Sequence, residues 1–260
     1  QTIRWTSYHQ AVMYVAVWRE STPVLRASDS VQVVIDIVTD DSRMINAGPI
    51  ELFDNGNGDP DILGNDGVYS RYLVEYPADG RYSFTVHVRG IKNKTVVLKH
   101  DQSVSDLSHL SRIKTCCGSQ TNVEENKLVN VDPFKRVQLG SVINLIQVPD
   151  PLSKDQIAPS RIADLHIQVL NESASLLATW TAPGDNFDSG SVSGYRFVFS
   201  SNIADLLDPQ VEIRTAVMFR RKDKAGVKTR YQFQFKHFEE DFYVGLVGID
   251  AVNNTGKISN

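Results

Sequence analysis

Residues 175–184 read Ser-Leu-Leu-Ala-Thr-Trp-Thr-Ala-Pro-Gly, and they carry the strongest fold signal in the chain. The run is mainly apolar as far as Trp180, as in a strand of a sandwich core, and Pro183 and Gly184 then end it. On either side of this run, the same kind of pattern predicts further strands at 162–169, 195–199, 231–235 and 243–253. Short strands separated by turn residues predict a β-sandwich for this half of the chain.

The aromatic residues of this half follow a definite order. Trp180 ends one strand, Tyr195 and Phe197 occupy the next, and Tyr243 opens the last. This order resembles that of a fibronectin type III domain, where a tryptophan packs between the sheets beside a tyrosine of the following strand. The resemblance implies that Tyr243 forms a tyrosine corner with its ring in the core. Another sandwich of the same layered type stays open as an alternative.

The first half of the chain shows the same character, with glycine, proline, asparagine and aspartate clusters between short strands. Strands are predicted at 11–18, 30–38, 50–53, 68–74, 80–88 and 140–146. The predicted fold class is therefore all-β, with two consecutive β-sandwiches. The predicted domains are a sandwich over 1–148 with a long loop at about 91–130, a linker at 149–157, and a fibronectin type III-like domain over 158–260. One helical turn is expected within 202–208.

Composition narrows the functional classes. The 260 residues are 41% apolar and 22% charged, with a net charge of −4, which argues against a nucleic-acid binder because such proteins show a strongly basic face. No stretch approaches the roughly 20 apolar residues that span a bilayer. The chain begins with glutamine and without a signal-like run, so it is expected to be an internal piece of a longer protein. Cys116 and Cys117 are adjacent, and two free thiols or pairing with cysteines elsewhere are both open.

Three N-x-S/T sequons lie in turn-like contexts, at Asn93, Asn171 and Asn253. We predict glycosylation at all three, and hence an extracellular protein that is secreted or held at the cell surface.

An oxygen-rich loop is the best candidate for a metal site. It offers six candidate ligands within thirteen positions, which are Asp54, Asn57, Asp59, Asp61, Asn65 and Asp66. Calcium prefers six to eight oxygen ligands, so such a density could supply a calcium site. The same residues also dominate turns, because their side chains bond to the local backbone, so a structural turn is the competing interpretation. A second acidic loop holds Asp185, Asn186 and Asp188, and there a structural role is favoured.

A basic cluster follows Phe219. Its members are Arg220, Arg221, Lys222, Lys224, Lys228 and Arg230, opposed only by Asp223. Such clusters can bind sulfated glycans or anionic surfaces. A solvated hairpin turn around Ala225 and Gly226 is the other interpretation.

Motifs for catalysis are missing. None of the six histidines fits H-E-x-x-H, and a D-x-S-x-S metal-adhesion motif does not occur. Residues 190–194 have valine where a G-x-S-x-G elbow needs serine. The chain is therefore predicted not to be an enzyme.

Two sets of longer stretches go beyond a generic sandwich. The first comprises Leu-Phe-Asp-Asn-Gly-Asn-Gly-Asp at 52–59 with 65–72 and 79–88, and the second comprises 159–165 and 179–190. In this order they resemble the C-terminal region of the calcium-activated chloride channel regulator family. The match is loose over 1–25 and does not extend to 91–130.

The resemblance implies a secreted or surface glycoprotein with an upstream, self-cleaving zinc metalloprotease-like domain and a von Willebrand factor A domain. This chain would be the β-sandwich and the fibronectin type III-like domain that come after them. The family increases calcium-activated chloride current by acting on a separate channel. The expected partners are therefore the upstream domains and a calcium-activated chloride channel at the cell surface. The alternatives are an adhesion or glycan-binding module and the accessory tail of a secreted zinc metalloprotease.

Overall fold

The structure is a computed structural model, and it describes residues 2–5, 11–25, 31–100, 114–116, 119–121, 126–148, 155–170, 175–207, 215–234 and 242–259. The elements of the first half are all strands: β1 (Thr2–Arg4), β2 (Val12–Ala16), β3 (Trp18–Arg19), β4 (Thr22–Leu25), β5 (Val31–Thr39), β6 (Met44–Glu51), β7 (Val68–Tyr72), β8 (Gly80–Gly90), β9 (Val96–His100), β10 (Lys114–Cys116), β11 (Ser119–Thr121), β12 (Asn126–Asn130) and β13 (Phe134–Ile146). The second half contains β14 (His166–Leu170), β15 (Ser175–Thr181), β16 (Ser191–Ser200), α1 (Ile203–Leu207), β17 (Thr215–Lys224), β18 (Lys228–Gln234) and β19 (Tyr243–Ile249). The predicted all-β class is confirmed.

The first half is built around a five-stranded sheet in the order β1-β13-β8-β5-β6. Strand β5 shows why the sequence folds this way, since Val31, Val33, Ile35 and Ile37 alternate with polar or half-exposed residues and are buried. These side chains pack against Tyr69 and Leu73 of the region around β7, and against residues of the smaller sheet β12-β9-β4-β3. One buried cluster therefore draws on residues between 17 and 145.

The expected long loop over 91–130 is wrong at both of its ends. β9 and β12 lie within that range and pair with each other in an antiparallel register, and β9 also pairs with β4. Val96 and Val97 are buried, so the β-branched run after Thr95 forms a core strand inside an otherwise polar segment. The strand predicted at 140–146 also begins earlier, at Phe134, and β6 begins at Met44 instead of Ile50.

The second half forms two facing sheets, β14-β15-β18 and β17-β16-β19. The chain leaves β17 through a turn at Ala225 and Gly226 and enters β18 in the opposite sheet. Residues 255–259 then run beside β19, where the Gly256 amide donates to the Gly248 carbonyl at 3.0 Å and the Ser259 amide donates to the Leu246 carbonyl at 3.0 Å. One sheet has three strands, and the other has three strands with the short segment 255–259 beside β19. This is the fibronectin type III-like topology that the sequence predicted.

Aromatic rings fill the space between these two sheets. Trp180 meets Tyr195 edge-on, with 5.0 Å between ring centroids, and Phe219 stacks on Tyr231 at 4.0 Å. The buried hydroxyl of Tyr195 donates to the Asp223 carboxylate at 3.0 Å, so its polar end has a partner. Burial raises the pKa of the Tyr195 hydroxyl, because the charged form is disfavoured away from water.

The tyrosine corner predicted at Tyr243 is wrong. Tyr243 is 46% exposed, whereas Phe242 and Val244 on either side of it pack against the core cluster. Successive side chains of a strand point to opposite faces, so the phase of β19 turns the Tyr243 ring outward.

Other sequence predictions lie at the edges of these elements. The helical turn expected within 202–208 is α1, and residues 149–154 of the expected linker lie outside the described residues. Cys116 ends β10, while Cys117 lies outside the described residues. Among the described residues, no helix has the length and apolar character needed to cross a membrane.

Candidate functional site

The oxygen-rich loop is held together by its own backbone amides. The carboxylate of Asp54 accepts hydrogen bonds from the amides of Asp66, at 3.1 Å, and Gly67, at 3.0 Å. Asp61 likewise accepts from the amides of Asn55 and Gly56. Both aspartates are buried, and burial raises the pKa of each carboxyl although these hydrogen bonds oppose the shift.

The other four candidate ligands point in different directions. Asp66 accepts from the Val68 amide at 2.8 Å, and Asp59 accepts from the Tyr72 hydroxyl at 2.5 Å. Asn57 and Asn65 are exposed, and Asn65 adopts a left-handed backbone conformation with φ of +63°. Within the described part of the chain, no three or more histidine, cysteine, aspartate or glutamate side chains converge on a position for a metal ion. This geometry favours the turn interpretation, and the calcium site stays a prediction.

The second acidic loop closes on itself and faces the first. The Gly184 amide donates to the Phe187 carbonyl at 2.7 Å, and the Asp185 amide donates to the Ser189 carbonyl at 2.8 Å. The same loop is tied to the start of the second sandwich, because the Ser160 amide donates to the Phe187 carbonyl at 3.1 Å. Phe187 is thereby held at φ of +52°, which a residue with a Cβ atom rarely adopts.

The two acidic loops meet at a junction between the sandwiches, which we call the loop junction (residues 57–59, 71–72 and 187–189). The Tyr72 ring stacks on Phe187 with 4.6 Å between centroids. The Tyr72 amide donates to the Asp188 carboxylate at 3.3 Å, and the Arg71 guanidinium donates to the Ser189 hydroxyl at 3.2 Å. Because the Tyr72 hydroxyl also donates to Asp59, a single tyrosine links both predicted loops.

Sequence reasoning missed the aromatic members of this junction. The sequence pattern places Tyr72 in a strand and Phe187 in a loop, and nothing in their local sequence indicates that they touch. An aromatic residue among Asp, Asn, Ser and Gly in a tight loop is the available signal, since loop tips otherwise carry small or polar residues.

The junction encloses a small cavity of about 20 Å³. Its lining includes Asp59 and Asp188 from the acidic loops, together with Arg161 and Thr181 of the second sandwich. That volume suits one water molecule and excludes an organic ligand.

Asp188 is the most perturbed carboxyl of the junction. Burial raises its pKa to about 6, and the neighbouring Asp59 charge adds to the rise, while Arg71 and the Tyr72 amide oppose it. One of its oxygens, Oδ1, is buried without a hydrogen-bond partner among the described residues. The junction therefore holds a carboxylate whose charge is poorly compensated near neutral pH.

The basic cluster is divided between the two faces of the second sandwich. Arg220, Lys222 and Lys224 are exposed on β17, whose register with β16 shifts between Arg220 and Asp223. Lys228 and Arg230 lie on β18, in the opposite sheet.

Two members of the basic cluster already have acidic partners. Lys228 pairs with Asp164 at 2.5 Å, and Arg221 pairs with Asp223 at 3.0 Å. The turn expected at Ala225 and Gly226 is present, but it is not a hairpin, because β17 and β18 lie in opposite sheets, and it thereby separates the charges.

Two of the three predicted glycosylation sites can be located. Asn93 and Asn253 are exposed and lie in turns with left-handed backbone, at φ of +63° and +70°. Asn171 lies outside the described residues.

Comparison with known proteins then identifies the chain. No protein-family model matches it. It is 30% identical over 261 residues to calcium-activated chloride channel regulator 4 of Homo sapiens, covering 96% of this chain and 27% of that protein. It is 29% identical to calcium-activated chloride channel regulator 1 of Equus caballus, with the same two coverages. Proteins that are about 30% identical to this chain, and that align with 96% of it, are thus named calcium-activated chloride channel regulators. The resemblance to the family's C-terminal region is thereby confirmed.

The matches cover only part of each relative. The chain spans about a quarter of the length of the relatives it matches, and 86% of it aligns with 23% of calcium-activated chloride channel regulator 2 of Homo sapiens at 28% identity. Among solved structures, the FN1–FN3 domains of chicken CNTN1 align over 89% of the segment and 52% of that chain, with a TM-score of 0.24 and 11% identity. A DUF3823 family protein from Bacteroides ovatus aligns over 94% of the segment and 93% of that chain, with a TM-score of 0.28 and 10% identity. The fold assignment therefore rests on the strand topology of the chain itself.

The perturbed carboxyl gives a pH-dependent prediction. The Asp188 carboxyl has a pKa of about 6 in the folded segment and an ordinary value of 3.8, so the folded state binds the proton more tightly. Stability should therefore fall as the pH rises from about 4 to about 6. Asp188→Asn removes the charge and should raise the free energy of unfolding by on the order of 1–3 kcal/mol at about pH 7.5, with no gain at about pH 4. Urea unfolding at the two pH values measures this.

The control for Asp188→Asn is Asp40→Asn, which changes an exposed carboxylate far from the loop junction and should leave the stability difference near zero. An equal gain from Asp188→Asn at both pH values would contradict a role for the buried charge.

The turn interpretation of the first acidic loop is tested with calcium. Because Asp54, Asp61 and Asp66 already accept backbone amides, millimolar calcium should give no binding heat and no shift in melting temperature. A calcium-dependent rise in melting temperature that disappears in Asp59→Asn combined with Asp66→Asn would restore the calcium site. Magnesium at the same concentration controls for ionic strength.

Proposed function

We propose that the chain is a non-catalytic, extracellular segment of a calcium-activated chloride channel regulator. It acts as a spacer and interaction module for the upstream domains and so supports the modulation of chloride conductance by a separate channel at the cell surface. The names of the relatives support the regulatory context. The exposed sequons at Asn93 and Asn253 support an extracellular location.

The loop junction is the observation that carries the spacer role. A spacer transmits position only if its two domains keep a fixed relation. Here an aromatic stack, a carboxylate bound to a backbone amide and a guanidinium bound to a hydroxyl join the sandwiches within a few residues. Aromatic pairs contribute about 0.5–1.5 kcal/mol beyond their burial, and removal of the stack should loosen the relation without unfolding either core.

Phe187→Ala tests this role at two levels. In the isolated segment, small-angle X-ray scattering should show a larger radius of gyration, because the sandwiches separate. In a full-length regulator that carries this segment, the same change should reduce the increase in calcium-activated chloride current at equal secretion. Tyr243→Ala removes a half-exposed ring away from the junction and serves as the matched control. A loosened junction with an undiminished current would contradict the spacer role.

A second candidate function is binding of a sulfated glycan, which the row of Arg220, Lys222 and Lys224 favours. These three side chains are exposed on one strand, and no acidic partner is found for them among the described residues. A group of cations on one strand attracts a chain that carries several anions.

Heparin chromatography tests the glycan candidate. Changing all three residues of the β17 row to glutamate should abolish retention, because the attraction depends on a continuous positive row. Lys228→Glu combined with Arg230→Glu alters the opposite sheet and should have a small effect. Elution of the unmodified segment below physiological salt concentration would reject this candidate.

A further inference from the structure

Strand β13 has one edge that is largely unpaired. β8 bonds to β13 on one side, and on the other side β1 pairs with it only at Asn144, Leu145 and Ile146. Across the described ranges, no strand lies against that second edge between residues 134 and 143. The register with β8 shifts between Leu139 and Val142, so the regular part of this edge runs from residue 134 to residue 139. At about 3.3 Å per residue, that part is roughly 17 Å long. Such an edge presents unpaired amides and carbonyls that another polypeptide can bind.

The side chains of this part of β13 are exposed on both faces of the strand. Val137 is 55% exposed and Leu139 is 81% exposed, although both are apolar residues in a long strand. Edge strands usually carry charges that prevent pairing with identical copies, and here Lys135 and Arg136 supply two positive charges beside these apolar side chains.

A groove of about 730 Å³ adjoins β13, where Phe134, Arg136 and Gln138 are among its lining residues. Its floor is apolar and is formed by buried or half-buried valines of both sheets, which are Val17, Val24, Val86, Val88 and Val131. Its opposite wall carries two aromatic residues, Tyr14 and Trp18, which are 63% and 52% exposed. An exposed aromatic wall over an apolar floor is typical of a binding surface.

The charges at the rim indicate the kind of partner. Arg19 and Arg136 line the groove, with Asp132 as the acidic residue among its lining. Both arginines are exposed, and neither guanidinium has a carboxylate partner among the described residues. The rim is therefore net positive and complements a negatively charged partner.

We propose that the open edge of β13 and the adjoining groove bind an extended, acidic polypeptide segment. The segment pairs with β13 as an added strand along residues 134–139, in the manner of β-strand addition. On the face that it turns towards the groove, apolar side chains pack on the valine floor against Trp18, and acidic side chains near the two ends reach Arg19 and Arg136. The inference rests on the interaction role proposed above and names the surface that performs it.

The open edge distinguishes a polypeptide from other anionic partners. A lipid or glycan could meet the arginines, but only another backbone satisfies a row of amides and carbonyls at strand spacing. A second copy of the chain fits less well, because it would bring another Lys135 and Arg136 to an edge that is already positive.

A labelled synthetic peptide with blocked ends, in which one strand face carries central valines and a glutamate near each end, tests the proposal on the full 260-residue chain by fluorescence anisotropy. The peptide should bind, and Arg19→Glu combined with Arg136→Glu should weaken binding by about tenfold or more. Arg220→Glu combined with Lys222→Glu makes the same change of net charge on the second sandwich and should leave the affinity unchanged. Equal losses in the two double variants would overturn the site.

Backbone pairing is tested by N-methylation of the peptide. Methyl groups on the amides of one strand edge should abolish binding, and methyl groups on the amides of the other edge should be tolerated, because an added strand bonds through one edge. Equal affinity of both methylated peptides and the parent peptide would overturn strand addition. Vesicles of phosphatidylserine bound in place of the peptide, or a dimer formed through this edge in sedimentation, would overturn the proposed occupant. All these measurements use the isolated chain, so their failure is distinguishable from failure of the chloride-current experiment.

Discussion

The stacking of Tyr72 on Phe187 is the contact on which the relation between the two sandwiches depends. Tyr72 ends β7 and Phe187 lies in the loop between β15 and β16, and each ring is buried although it lies at a domain boundary. The hydrogen bonds on either side of the stack join residues more than a hundred positions apart. The interface is thus made by the end of β7 and by acidic loops that are held rigid by their internal hydrogen bonds.

That rigidity depends on how the acidic residues are used. Asp54 and Asp61 turn their carboxylates inward onto backbone amides, which closes the loop that carries Asp59 to Tyr72. A buried carboxylate with such partners fixes the local chain because leaving either group unpaired would be unfavourable. The sequence suggests a cation site because the loop holds many oxygen atoms. In the structure, many of these oxygens accept hydrogen bonds from the protein itself.

Features that depend on residues close together in sequence were predicted, and features that depend on contacts between distant residues were not. The apolar run before Trp180 and the alternation along β5 are local, and they were sufficient to predict those two strands and the fold class. The phase of a strand relative to its core depends on tertiary packing, which is why Phe242 and not Tyr243 faces inward. The strands β9 and β12 were missed because they are short and lie in a polar segment, and β9 is also held by β4, far away in sequence. The two acidic loops were found from composition, but their meeting through Tyr72 and Phe187 depends on the arrangement of whole domains.

The left-handed backbone of Phe187 places two demands on one position. Glycine or asparagine would relax the local conformation, whereas only a large flat ring fills the space against Tyr72. Selection for thermal stability alone would therefore favour glycine or asparagine at this position, and the fixed orientation of the two sandwiches would be lost. A homologous protein with a small residue at this position would be expected to behave as two tethered bodies, and its reach would then be set by the tether.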